Sequence, residues 1–358
     1  MSVLSRREAV ALGAAVSAAG QAAAIDPAIT RRHDEHVERL LKRQVTDEAS
    51  PWCGAYPDDA LLYHPHSAAA VLDAFTAAFL HADSKFHRSP LLVARMQLAG
   101  RHLLRRQNEQ GNIDLLTTNF NSPPDTAFVV HNAGTAACLA RRHGLREISA
   151  LAEPFLEKAG GALAVGGIHT PNHRWVVCQA LAQIHELFPE ERYLRRIEQW
   201  LAEGIDIDAD GQYAERSTLV YNIVTNRALV VLAKKLKRPD LLHPVRRNLE
   251  SMLYLLHPGC EVVTEVSRRQ DVNRRGTIAG YWFALQSLAL EDNDGRFASL
   301  AARFAPQAAP LPALLEYPEL SRPLPPPAAV PEDYEKQFPA LAGCGKTAFD
   351  SEFHPFNS

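Results

Sequence analysis

The chain repeats one unit. A long polar, Gly-led loop runs into an apolar helix, which turns tightly into a charged helix. Copies begin at Gly111, at Gly166 and at Gly204, and a weaker fourth begins at the His257-Pro258-Gly259 turn, where VVTEVSRRQDVNRRG leads into GYWFALQSLAL. A helix that is apolar all round must be buried, whereas an amphipathic one faces water along one side. Repeated pairs of the two kinds therefore predict inner helices lining a centre, outer helices covering them, and polar loops gathered at one end. The expected fold is all-α, an incomplete (α/α) toroid of helical hairpins over residues 25–305. An open solenoid of the same units satisfies the same pattern.

Other helices are expected over residues 30–45, 67–81 and 89–107, from a cap at Asp125 to Gly144, and over 146–160. Strand signals are scarce, the best being residues 205–207 and 261–266 as short hairpin pieces. Beyond Phe304 the stretch APQAAPLPALLEYPELSRPLPPPAAVPEDYEKQFPAL is dense in proline. That density predicts extended chain, with one short helix near residues 310–317. Residues 306–358 thus read as a linker wrapping the body on its way to another domain, followed by an irregular tail that cannot build a core.

At the other end, Ser5-Arg6-Arg7 precedes an Ala-rich, mildly apolar run ending in Ala22-Ala23-Ala24. This reads as a twin-arginine export signal over residues 1–24, with periplasmic or extracellular work after its removal. The bland alternative is a frayed helix with two arginines. No other segment approaches membrane-spanning length, so no membrane anchor is expected in the mature chain. A net charge of -3 over 358 residues gives no footprint for nucleic acid. The five cysteines are scattered, with neither CxxC nor Cys/His metal spacing. No metal and no cofactor are expected, and Cys138 and Cys178 read as small core residues.

Two loops carry residue types suited to chemistry. The first delivers Asn172, His173 and Arg174 at the start of a helix. The second, DGQYAERSTLVYN, delivers Tyr213, Glu215, Arg216 and Tyr221 in the same way. An Asn amide can hold a carboxylate while an adjacent His moves a proton, and a helix N-terminus adds positive potential for an acidic ligand. Tyrosine ordinarily titrates near pH ~10, so it acts as an acid unperturbed or as a base among cations such as Arg216, Arg268 and Arg269. The structural alternatives are Thr170 or Asn172 as a helix cap, His173 on the surface, and Tyr221 as a core residue with a wet hydroxyl.

The pairing of Asn172-His173 with the later DG-x-Y-x-E-x-S-x-x-x-Y segment resembles the helical domain of heparinase II/III-type polysaccharide lyases and their alginate-lyase relatives, over roughly residues 110–290. The resemblance implies an incomplete (α/α) toroid and cleavage of acidic, uronic-acid polysaccharides by β-elimination. It implies Asn172 on the uronate carboxylate, with His173 and Tyr221 sharing the proton work. Arg174, Arg216, Arg268 and Arg269 become candidates for holding acidic groups, Tyr213 and Glu215 for lining the site, and Asn119 and Asn121 for sugar contacts. The family's β-sandwich is not found after the proline-rich stretch, which suggests a truncated product of reduced activity. Two rivals stand beside this reading. A glycoside hydrolase on the same toroid would use carboxylates from among Asp125, Asp208, Asp210 and Glu215. A non-catalytic glycan-binding protein would have His173 and Tyr221 pointing apart.

Overall fold

The computed structural model describes residues 24–257 and 259–330. The expected export signal and the tail beyond residue 330 lie outside them. Among the described residues, helices α1 (Pro27–Arg43), α2 (Pro65–Leu80), α3 (Pro90–Arg106), α4 (Pro123–Arg142), the one-turn α5 (Arg146–Ser149), α6 (Glu153–Val165), α7 (Pro171–Leu187) and α8 (Glu191–Ala202) lead into α9 (Tyr221–Leu236), α10 (Leu242–Tyr254), α11 (Trp282–Asp292), α12 (Gly295–Ala308) and α13 (Leu311–Glu316). Five of them open on a proline: Pro27, Pro65, Pro90, Pro123 and Pro171. That position suits proline because its missing N–H would have had no intrahelical partner.

The fold is the expected toroid. Helices α2, α4, α7, α9 and α11 pack side by side as an inner ring, and each carries its own outer partner: α3, α6, α8, α10 and α12. The four loops of the repeat lead into the inner helices α4, α7, α9 and α11. The ring closes where α12 packs on α1, and α13 fits against α1, α2 and α4. Arg32 of α1 ties this seam by donating to the carbonyls of Pro306 and Ala309. The sixth wedge is therefore made from both ends of the described chain, which is why no sixth copy of the repeat is needed.

Two of the polar loops start with the same turn. In 108–112 and in 208–212 the first side chain accepts the last residue's N–H, at 2.9 Å in each case. The fourth residue is Gly111 or Gly211, at φ +96° or +83°. A Cβ at either would sit 2.4 Å from a carbonyl oxygen of the outer helix behind it, Lys158 of α6 or Arg247 of α10. Only glycine allows that approach. The loops are thereby pressed onto the outer helices, and their far ends are sent to the toroid's axis.

Several sequence expectations need correction. The helix cap before α4 is Ser122, not Asp125, so Asp125 stands inside the first turn. The helix expected over 146–160 is broken between α5 and α6, because Pro154 cannot sit in a helix interior but is tolerated in a first turn. A hairpin of β1 (Ile113–Leu115) and β2 (Asn119–Ser122) occupies what reads as irregular loop. The segments 205–207 and 261–266 make only isolated bridges, Ile207 with Tyr213, Leu256 with Val262 and Glu261 with Thr277.

The largest correction concerns residues 306–324. They are part of the body: Ala309, Leu311, Leu314, Tyr317 and Leu320 are all buried. Pro310 caps α13, while Pro312 and Pro318 sit in first turns. The short helix expected near 310–317 is α13, while Pro306 lies inside α12, so the prolines up to Pro318 accompany helices rather than extended chain. Helix α13 covers the end of the toroid where the inner helices finish. Glu316 pairs with Lys235 of α9 at 2.8 Å, Lys235 also holds Glu186 of α7, and Arg142 of α4 donates to the Glu316 carbonyl. One end of the axis is closed, and the inner helices start at the other.

Candidate active site

Four inner helices start close together at the end opposite α13, which is the open end among the described residues. Burial dominates the shifts of His66 and His173, and both also feel the Asp125 carboxylate. His66 stands in the first turn of α2, Asp125 in that of α4 and His173 in that of α7. The field of Arg269, from the loop before α11, reaches both His173 and Glu215. These residues form one electrostatic neighbourhood at aligned helix N-termini.

The two loops singled out in the sequence meet directly. The Asn172 backbone N–H donates to Glu215 Oε2 at 3.1 Å, so a carboxylate from the second loop caps the helix that the first loop opens. A negative charge is favourable there because the first N–H groups of a helix lack intrahelical partners. Burial raises the Glu215 carboxyl above its usual range, and the Asn172 N–H opposes that shift. The Asn172 side chain is buried, and its Oδ1 accepts the Thr170 hydroxyl at 2.7 Å. Its Nδ2 has no partner. A buried donor left unmade costs about 1–3 kcal/mol, and this one is held beside His173.

His173 packs edge-on against the rings of Phe128 and His169, with centroids 6.0 Å apart in both cases. Burial is the main reason its imidazole titrates at about 4, with His169 and Arg269 adding to the effect and Asp125 opposing it. At neutral pH the ring is uncharged and can accept a proton. Asp125 is fixed by its own loop: Ser122 Oγ donates to it at 2.5 Å and Asn119 Nδ2 at 3.2 Å.

Tyr221 opens α9. Its N–H donates to Ser217 Oγ, which in turn donates to the buried Asp271 at 2.9 Å. Asp271 also accepts from Ser267 Oγ and the Leu219 N–H. This carboxylate ties the start of α9 to the loop that carries Arg269 and Gln270. The Arg269 guanidinium lies over the Tyr221 ring, 5.1 Å from its centroid. Gln270 Nε2 donates to the Tyr221 hydroxyl at 2.6 Å, leaving the phenolic hydrogen free to be given elsewhere.

The structure therefore brings together Asn172, His173, Glu215, Tyr221 and Arg269, with Asn119 acting through Asp125. Other expected site residues have structural work. Tyr213 is buried and donates to Asn226 Oδ1 at 2.8 Å. Arg174 is held by Asp206 and by Glu203 at 3.2 Å, tying α7 to the turn after α8. Arg216 bonds Asp208 at 3.2 Å, and its carbonyl accepts the Arg268 N–H at 2.8 Å. Asn121 accepts from Asn108 and Asn112, so its amide oxygen holds the hairpin. Sequence reasoning missed Gln270 and His66. His66 carried a usable signal, since it sits in the first turn of an inner helix just as His173 does. Among the described residues no group of three His, Cys, Asp or Glu side chains is placed to hold a metal ion.

No protein-family model matches the chain, and no curated protein matches it. Solved structures do. The crystal structure of a sugar epimerase from a ruminal bacterium superposes with TM-score 0.53 at 12% identity, covering 77% of this chain and 84% of that one. The crystal structure of a D-mannose isomerase superposes with TM-score 0.53 at 15% identity, covering 78% and 86%. At these identities the likeness is one of fold: a helical toroid. No described helix is long and apolar enough to cross a membrane.

Proposed function

We propose that this protein acts on carbohydrate and, more finely, that it cleaves uronic-acid-containing glycans by β-elimination. The observation that carries the reading is the bond from Asn172 N–H to Glu215, which joins the two loops at the open end of the toroid. An unpartnered amide, a neutral imidazole, a phenol and a guanidinium gather around it. The similar folds named above belong to a sugar epimerase and a D-mannose isomerase, which favours a sugar as the substrate class.

The chemistry follows from the state of each group. The carboxylate of the substrate sits against Asn172 Nδ2 and the Arg269 guanidinium, both fixed before the substrate arrives. That contact stabilises the charge that spreads onto the carboxylate once C5 loses its proton. His173, uncharged at neutral pH, takes that proton. The C5–H electron pair becomes the C4–C5 double bond as the C4–oxygen bond breaks. The departing oxygen takes the phenolic hydrogen of Tyr221, and solvent then returns a proton from His173 to Tyr221. In this assignment the histidine is the base and the tyrosine the acid.

The hydrolase alternative is less well supported. Glu215 Oε2 is engaged by a backbone N–H and its Oε1 is buried, so its carboxyl is poorly placed to reach a glycosidic oxygen. A purely binding role expects His173 and Tyr221 to lie apart, yet Arg269 stacks on one ring and its charge bears on the other. The test is ultraviolet absorbance of the unsaturated product on a panel of uronate polysaccharides and oligosaccharides. We expect a rise with the wild type and none with His173→Ala or Tyr221→Phe. Shortened glycans without ultraviolet absorbance would mean hydrolysis and would end the elimination reading.

A further inference from the structure

Six residues deeper along the axis lies a second constellation. Arg227, His131 and Gln179 each stand six positions after a residue of the open end (Tyr221, Asp125 and His173), or about 9 Å at 1.5 Å per helical residue. Arg227, His131, Asp73 of α2, Asn132 of α4 and Tyr317 line a cavity of about 250 Å³, roofed on the far side by α13. At about 30 Å³ per water in the liquid, this is room for roughly eight waters or one small organic molecule.

The lining sets polar groups that are incompletely bonded among apolar surface from Val231, Phe283, Pro310 and Pro312. Among the described residues Arg227 makes no ion pair or hydrogen bond, and its Nε is buried without a partner. Asp73 Oδ1 and the Tyr317 hydroxyl are likewise buried and unpartnered. Three orphaned polar groups on one cavity are unusual, since buried polar groups are nearly always bonded. By contrast, two neighbouring groups, His131 and Glu316, are engaged. His131 Nδ1 accepts from Gln179 Nε2 at 2.5 Å, and Glu316 is neutralised by Lys235 and accepts from Thr135.

The charges do not cancel within the cavity. Burial, reinforced by Glu316, drives the Asp73 carboxyl well upward, toward its neutral form. Burial holds His131 well below the usual imidazole range, with Arg227 adding to the effect. Burial lowers Arg227 to about 10, which still leaves it charged at neutral pH. Among the described residues no carboxylate pairs with this guanidinium, and an unpaired buried ion is costly to hold.

We propose that this axial cavity binds a small polyhydroxylated carboxylate, a free sugar acid. Arg227 takes the carboxylate, and Asp73, Asn132 and Tyr317 take hydroxyls. A planar guanidinium matches a carboxylate with two parallel bonds, while a carboxyl, an amide and a phenol can each hydrogen-bond to sugar hydroxyls. The site is separate from the elimination chemistry proposed above and does not depend on it.

Thermal unfolding and calorimetric titration of the full chain test the proposal, with glucuronate, glucose and acetate as probes. Glucuronate should raise the unfolding midpoint, and glucose and acetate at equal concentration should do so far less. Arg227→Met should weaken glucuronate binding by about ten- to a hundredfold, the range for losing a charged hydrogen bond. The same substitution should raise the midpoint of the ligand-free protein, because it removes an uncompensated charge. Loss of glucuronate binding in Arg227→Met, at a position six residues deeper than Tyr221, separates this site from the open end. Should Arg227→Met not fold, Arg227→Lys serves: it keeps the charge, loses the fork and should bind at least several-fold more weakly. Equal binding of glucuronate by either Arg227 variant and the wild type would overturn the proposal. Glucose matching glucuronate would overturn the carboxylate assignment, and acetate matching it would overturn the hydroxyl contacts. A wild type indifferent to glucuronate, with an Arg227→Met protein less stable than wild type, would show that Arg227 is structural.

Discussion

His173 and Asn172 make opposite demands on the fold, and both can be measured. The imidazole of His173 is held at about 4 by burial, against an ordinary value of 6.5, and His33, His66 and His102 are lowered to about 4 for the same reason. Each binds its proton less readily in the folded state than in the unfolded one. Their contribution to stability is therefore fully present above pH ~6.5 and is lost as the pH falls toward ~4, because the unfolded chain binds more protons in that window. The unfolding midpoint should be flat on the neutral side and fall steeply across that range. A midpoint that stays level down to pH 4 would show that these rings are solvated. Activity should likewise fail only near pH 4, with no inflection at 6.5. For Asn172, replacement by alanine should lower kcat by about 10²–10³, the loss seen when one preset donor to a developing negative charge is removed. Steady-state kinetics on the best uronate substrate would check it, with a small change in stability because the alanine loses the Oδ1 bond to Thr170 but also removes the unpartnered Nδ2.

At the level of helices and loops, the site depends on caps borrowed from elsewhere. Glu215→Gln keeps the shape but removes the charge from the N-terminus of α7. It should destabilise the protein by about 1 kcal/mol, the usual worth of a carboxylate at a helix start, measurable by urea unfolding. Gly111→Ala should cost more than the usual ~1 kcal/mol of a helix or strand glycine change, because its methyl would meet the Lys158 carbonyl at 2.4 Å. Little or no loss in Gly111→Ala would mean the loop is not pressed onto α6. Much of this level was legible in the sequence. The alternation of apolar and charged helices located the inner ring, and the Gly-led loops pointed to the helix starts now found together. Two things were not legible. The β1–β2 hairpin has strands of only three and four residues, with Ile113 and Ser122 their only buried positions, so residues 113–122 are too short to show a readable alternation. Arg227 sits in the run NRALVVLA, where one charge in an apolar helix looks like a residue at its margin. Only the ring of neighbouring helices places it on the axis.

For the molecule as a whole, the misread proline segment matters most. Prolines are disfavoured in helix interiors, although Pro306 lies within α12, and suit helix starts, so composition alone does not separate helix from extended chain here. The deciding signals were Leu311, Leu314 and Leu320, apolar residues that an extended linker would have no reason to carry. Because α13 closes the ring, its main charge contact should be costly to lose. Glu316→Ala should destabilise by about 3 kcal/mol, the low end for breaking a buried pair, since Lys235 keeps Glu186. Chemical denaturation would measure it, and a loss under about 0.5 kcal/mol, the ordinary range for surface changes, would mean α13 is only loosely seated.

The central claim is that the catalytic end of this toroid is where its inner helices begin. A crystal structure of His173→Ala with a bound uronate oligosaccharide tests it most directly. The account predicts a sugar carboxylate against Asn172 Nδ2 and Arg269, a glycosidic oxygen at the Tyr221 hydroxyl, and C5 facing the space left by the imidazole. An oligosaccharide bound on the outer helices, or one at the open end with its carboxylate turned away from Asn172, would contradict it.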